Sequence, residues 1–215
     1  SVEETGALQR RLTIRSDEEN FDGLDRVSGM EFSSNGQYLF IAAESDASLS
    51  VYKKPSANTA ELELVSIFKN FGENFNLNRS KGVAITPSGD QVFIITDSGL
   101  NIFNWDSANE SLQAVAYLWS GVDGAIPSSW SANSVSVSPD GKQLFVTAAG
   151  SQDSLTIFDR NEGAVSVSAI LREGENGVEG LDNPLGVALS PDGKSVYVMS
   201  GNNGGGLSVF SRDPS

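Results

Sequence analysis

The chain has 215 residues, 39% of them hydrophobic and 20% charged, which suits one folded domain or a short array of repeated units and excludes wholesale disorder. Fourteen basic against twenty-eight acidic residues leave a net charge of −14, and such a surface repels phosphate backbones and anionic lipids, so neither nucleic acid nor membrane insertion is expected. With no cysteine and no histidine, disulfides, thiol chemistry, Ser–His and Cys–His catalysis and the usual zinc ligand sets are all excluded.

The first element in chain order, within Thr5–Ile14, has the character of an outer β-strand. Four copies of one pattern follow. Each begins with a strand running into a tight turn: Gly29–Gly36, Gly82–Gly89, Ser134–Gly141 and Gly186–Gly193 align without gaps, and their turn glycines lie 53, 52 and 52 residues apart. In Ser138-Pro139-Asp140-Gly141, Pro presets φ, Asp bonds its own backbone, and Gly takes the left-handed position that returns the chain. A second strand follows each turn at Tyr38–Ala43, Val92–Ile95, Leu144–Ala148 and Val196–Met199, apolar on both faces as in sheets covered on both sides. A third alternates at Leu49–Tyr52, Leu100–Phe103, Leu155–Phe158 and Leu207–Phe210. A fourth, more variable, spans Glu61–Phe68, Ser111–Trp119 and Ala164–Leu171, and the last copy has none.

Four strands per repeat at this period predict an all-β propeller of four four-stranded blades, about residues 28–68, 81–119, 133–171 and 185–211. Aromatics recur at Phe40, Phe93, Phe145 and Tyr197, and again at Tyr52, Phe103, Phe158 and Phe210, which predicts core packing between blades. Residues 6–14 stand at the phase of the strand that the last copy lacks. They are expected to pair beside residues 206–211 and close a four-bladed ring, an open stack leaving exposed edges. The alternatives are a four-blade portion or half of a larger propeller, including closure between two chains as a homodimer.

The run from Asp22-Gly-Leu-Asp25, through the Ser-Pro-Asp-Gly-Lys turn and Val196-Tyr-Val198, to Leu207-Ser-Val-Phe-Ser-Arg-Asp213 resembles the bacterial YVTN/lactonase-like β-propeller repeat family. Thr5-Gly-Ala-Leu8 matches that family's last repeat element, and the resemblance covers nearly the whole chain. It implies the propeller fold, seen there with seven or eight blades, and for the lactonases a His, Arg and acidic cluster near the channel. Without histidine that cluster has no counterpart here, so no catalytic residue is carried over.

The outer-to-inner loops and the loops joining the second and third strands share one face. Aligned by repeat, Asp25, Asn78, Trp130 and Asp182 occupy one equivalent position near the channel mouth, followed in two copies by Arg26 and Arg79. These six are the candidate ligand-binding residues. Trp130 either offers a stacking surface or fills the centre of the ring, and the arginines suggest inter-blade ion pairs. Asp25, Asp182, Glu44, Asp46, Asp97 and Asp153 converge on the same face as oxygen donors for a hard cation such as Ca²⁺, or else serve as turn caps. Binding is expected here and not on the Ser-Pro-Asp-Gly face, whose turns are short and nearly identical. The sequence therefore suggests a non-catalytic binding or scaffold module, periplasmic or secreted, that presents an acidic face to a polar small molecule, a sugar, a cation or a protein. The alternatives are a lactonase-like hydrolase using carboxylates, metal-assisted or not, and a fragment of a larger propeller.

Overall fold

The computed structural model describes residues 12–15, 21–55, 61–69, 75–122, 126–127, 130–151, 153–202 and 205–214. They form four antiparallel sheets in chain order. The first holds β1 (Val27–Phe32), β2 (Tyr38–Ala43), β3 (Ser48–Lys53) and β4 (Glu63–Lys69). The second holds β5 (Ser80–Ile85), β6 (Gln91–Thr96), β7 (Gly99–Asp106) and β8 (Ser111–Trp119). The third holds β9 (Ser131–Val137), β10 (Gln143–Ala149), β11 (Ser154–Asn161) and β12 (Ala164–Arg172), and the last β13 (Pro184–Leu189), β14 (Ser195–Ser200) and β15 (Gly206–Ser211). Each sheet is a blade.

The turns that begin each repeat form as the sequence implies. Gly36, Gly89, Gly141 and Gly193 all take φ between 69° and 75°, and each donates its amide to the carbonyl of the Ser or Thr three residues earlier. The inner strands stand side by side, β1 against β5, β5 against β9 and β9 against β13. At the tightest point a Cβ on Gly29 would lie 2.9 Å from the Cα of Gly82, so glycine is what lets these two strands approach.

The period-2 alternation of each strand assigns its side chains to one of two faces. Phe40, Phe93 and Phe145 lead the face that packs on the next blade, with Leu49, Leu100 and Leu155 from the third strands. The opposite face packs on the preceding blade through Val83, Ile85, Val92, Ile94 and Phe103 in the second blade, and through their equivalents in the third and fourth. Leu77, Ile126 and Leu181, in the connections between blades, are fully buried and plug the tops of the three junctions. Phe40, Phe93, Phe145, Phe103 and Phe158 are inter-blade core, as expected, with Phe210 partly buried at the third junction, whereas Tyr52 packs with Leu39 and Ile41 of its own blade and Tyr197 is exposed.

The four blades form an arc and not the closed four-bladed ring; the portion of a larger propeller is the alternative that fits. On the fourth blade the repeat positions buried elsewhere are open, with Leu207 66% and Val209 57% exposed. The expected closing strand, residues 6–14, lies mostly outside the described residues. Leu12–Arg15 form no strand, and Ile14 instead lines a groove of about 700 Å³ on the first blade with Leu24, Met30, Ile41 and Leu62.

Candidate functional site

The loops above the arc bring three pairs of the sequence-predicted residues together, Asp25 with Asp46, Arg26 with Glu44 and Arg79 with Asp97, while Asn78, Asp153 and Asp182 bond other residues of the loops. Asp46 Oδ2 accepts the Asp25 amide at 2.8 Å. Asp153 accepts the Asn183 amide at 2.8 Å and the Gly150 amide at 3.1 Å. Asp182 Oδ1 accepts from Asn202 Nδ2 at 3.0 Å, and the Asn78 amide donates to Asn76 Oδ1 at 3.0 Å. Much of the acidic rim is thus engaged in holding its own turns, as Asx side chains commonly are. Among the described residues no three carboxylates are grouped as they would be around a metal ion.

Arg26 and Arg79 hold the same left-handed position before the inner strand, with φ of 53° and 56°, and Asn183 repeats it at 52°. Their ion pairs lie within a blade, which corrects the inter-blade expectation. Arg26 reaches Glu44 at 3.3 Å and Arg79 Nε reaches Asp97 at 2.7 Å, because the left-handed residue aims its side chain at the neighbouring hairpin. Lys81 adds a second cation at 3.7 Å from Asp97, and the Ser131 hydroxyl donates to Asp97 at 3.4 Å. Both arginines are about 70% exposed, so these pairs add little stability. Trp130 is buried among Phe93, Leu100 and Val146 at the second junction, which leaves no face for a ligand to stack on and places it between two blades instead of at the centre of a ring.

The inner strands form a wall of polar bridges between blades. The Ser28 and Ser80 hydroxyls meet at 2.8 Å, Asn133 Nδ2 donates to the Pro184 carbonyl at 2.8 Å, and the Val187 amide donates to Ser134 Oγ at 3.3 Å. Glu31, on β1, belongs to the same series and accepts the Ile85 amide of the next blade. Its repeat equivalents are Ala84, Ser136 and Ala188, so it is the one charge at that position. Its surface is open to solvent, yet protein atoms crowd the carboxyl. That crowding costs the charged form its hydration and pushes the group up to about 7, against the single hydrogen bond that lowers it.

A folded value above the unfolded one means that the native state holds the proton more tightly. The favourable contribution is complete below about 4.5 and is lost as pH rises through about 7. Glu31→Gln keeps the acceptor for Ile85 and removes the titration. The variant is expected to melt closer to wild type at pH 5 and above it at pH 8, and an equal difference at both pH values counts against this assignment.

Beneath the arc, two repeat-related arginines clamp adjacent blades. Arg160 donates to Gln91 Oε1 at 2.7 Å and to Asp90 Oδ2 at 2.6 Å. Arg212 donates to Gln143 Oε1 at 2.6 Å and to Asp140 Oδ2 at 2.7 Å. Burial pushes the Asp140 carboxyl up, but hydrogen bonds from Ser138, Arg212 and the Lys142 amide, together with the Arg212 charge, outweigh it and hold the group at about 2. Where these clamps stand, the first junction has Trp105 edge-on to Tyr38 at 5.2 Å. Neither Glu31 nor the clamps figure among the sequence-predicted site residues. For Glu31 the signal was present, a charge where three copies carry a small neutral residue.

A family model described as a seven-bladed β-propeller lactonase matches residues 83–215. Among solved structures, a candidate 6-phosphogluconolactonase from Bacteroides uniformis is 16% identical, with a TM-score of 0.66 over 87% of this chain and 51% of that one. The periplasmic gluconolactonase of Pseudomonas aeruginosa is 19% identical, with a TM-score of 0.64 over 90% of this chain and 55% of that one. Kuenenia stuttgartiensis hydrazine synthase is 16% identical at 0.64, over 95% and 49%, so similarity at this level carries the fold alone. No curated protein matches. The chain spans about half the length of the solved structures it resembles.

Proposed function

The chain belongs to the seven-bladed β-propeller lactonase family, and from that premise we propose that it takes part in hydrolysis of a cyclic ester, with Glu31 as the carboxylate that draws a proton from water. The observation that supports this reading is a lone carboxylate on the inner wall, at a position neutral in every other blade. Desolvation tunes it toward neutral pH, where a general base is most effective.

In this reading a water held by Glu31 attacks the lactone carbonyl carbon, and its proton passes to the carboxylate. The tetrahedral intermediate collapses, the ring C–O bond breaks, and the protonated Glu31 returns the proton to the departing alkoxide. The product is a hydroxy acid and Glu31 is regenerated. A second reading, a non-catalytic module presenting its acidic rim, is favoured by one fact: the chain holds no histidine for the cluster that the resemblance implies.

A panel of sugar and acyl lactones, followed by acid release, decides between them. Turnover should rise with pH through an apparent pKa near 7, and Glu31→Gln should lower kcat by about 100-fold or more, the usual contribution of a positioned general base. Absence of turnover across the panel, or turnover untouched by that substitution, overturns the hydrolase reading and favours the binding module.

A further inference from the structure

Each inner strand has one edge paired within its blade and one edge free of its own sheet. On β5 the Thr86 amide donates back to the Gln91 carbonyl. By antiparallel alternation the Ala84 amide is then turned to β6, while those of Val83 and Ile85 point out of the free edge. β13 repeats this register, and there the Val187 amide, the equivalent of Val83, donates to Ser134 Oγ of the preceding blade at 3.3 Å. Side chains of one inner strand thus cap free amides of the next.

At the first junction the capping places hold Glu31, which takes the Ile85 amide, and Gly29, which has no side chain to offer Val83. A Cβ on Gly29 would stand 3.0 Å from the Val83 nitrogen, so the glycine leaves bare the spot that a serine fills at the third junction. The second junction has Gly82 and Ala84 at these places, and the third has Ser134 and Ser136. Among the described residues, an uncapped amide beside a carboxylate therefore arises at the first junction alone. The Val83 and Ile85 amides lie about 6.5 Å apart along an extended strand. That spacing accommodates a water held by Glu31 and a carbonyl group between it and the open donor.

We propose that the Val83 amide receives the carbonyl oxygen of the lactone and holds the negative charge which that oxygen acquires, an inference that rests on the hydrolase reading above. As the water oxygen bonds to the carbonyl carbon and its proton passes to Glu31, the carbonyl π pair moves onto the oxygen facing Val83. When the intermediate collapses, the carbonyl re-forms, the ring C–O bond breaks, and the protonated Glu31 supplies the departing alkoxide. A donor fixed in a hydrogen-bonded sheet needs no reorganisation as the charge develops, and losing one such donor slows acyl transfer by about 10²–10³-fold.

Native-state amide hydrogen exchange of the wild type, read by heteronuclear NMR, tests the open donor without any substrate. Val83 should exchange about tenfold faster than Val187, whose amide Ser134 caps, the equivalent of one hydrogen bond. Gly29→Ser supplies that cap at the first junction and should lower kcat on the lactone panel about 100-fold, with KM held within about twofold. Gly82→Ser supplies it at the second junction, where an added Cβ meets nothing closer than 3.4 Å, and should leave both constants unchanged. Circular dichroism checks the fold of Gly29→Ser, whose Cβ approaches Gly82, and if that fold is lost the exchange measurement decides. Val83 protected as well as Val187 overturns the inference. Glu31-dependent turnover that survives Gly29→Ser, or falls equally in Gly82→Ser, overturns it too and leaves the hydrolase reading standing. Absence of turnover in the wild type overturns both together.

Discussion

Replacing Phe103 with alanine is expected to cost about 4 kcal/mol and to lower the thermal midpoint by roughly 8–16 °C. Phe103 lies on β7, fully buried at the first junction, with the Phe68 ring 5.0 Å away at 66° and the Phe75 ring at 5.9 Å. Truncation removes the ring's apolar burial and two ring contacts. It also leaves a cavity between sheets that cannot collapse, because hydrogen-bonded strands hold both of its walls. Phe210 holds the same repeat position on the terminal blade but is only partly buried. Phe210→Ala should therefore cost less than half as much. Chemical denaturation of both variants provides the check, and equal losses would mean that the blades do not pack as separate layers.

Arg212→Met is expected to destabilise the chain by about 3 kcal/mol at neutral pH, the range for breaking one side of a buried charged pair. Its side chain is 6% exposed and donates to Asp140, to Gln143 and to the Gly193 carbonyl, the last at 3.0 Å. Methionine fills much of the volume but leaves all three acceptors short of a donor. The pH dependence identifies the partner. Asp140 is held at about 2, below its ordinary 3.8, so its contribution is present above that ordinary value and is lost as pH falls through about 2. The gap between wild type and Arg212→Met should be full at pH 6 and narrow between pH 4 and pH 2. A gap that stays constant to pH 2 would assign the loss to packing alone.

What the sequence determined by itself is the blade. Turn chemistry repeated at a constant period, strands apolar on both faces and aromatics in two registers are local and periodic properties, and a residue's neighbours in its own sheet follow from strand alternation. Phe40, Phe93, Phe145, Tyr52, Phe103 and Phe158 accordingly lie in the core where the repeat placed them. The loop residues Asp25, Asp46, Asp153 and Asp182 were recognisable as polar and as neighbours on one face, but their hydrogen-bond partners were not, since these depend on how adjacent hairpins lean together. The tertiary structure decided the rest. It set Trp130 in a junction, turned Arg26 and Arg79 onto carboxylates of their own blades, and joined Arg160 and Arg212 to turns about 70 residues away in sequence. It also left the arc open, because whether four identical steps close depends on the angle between blades. Small offsets in inter-sheet packing set that angle, and no single repeat encodes their sum.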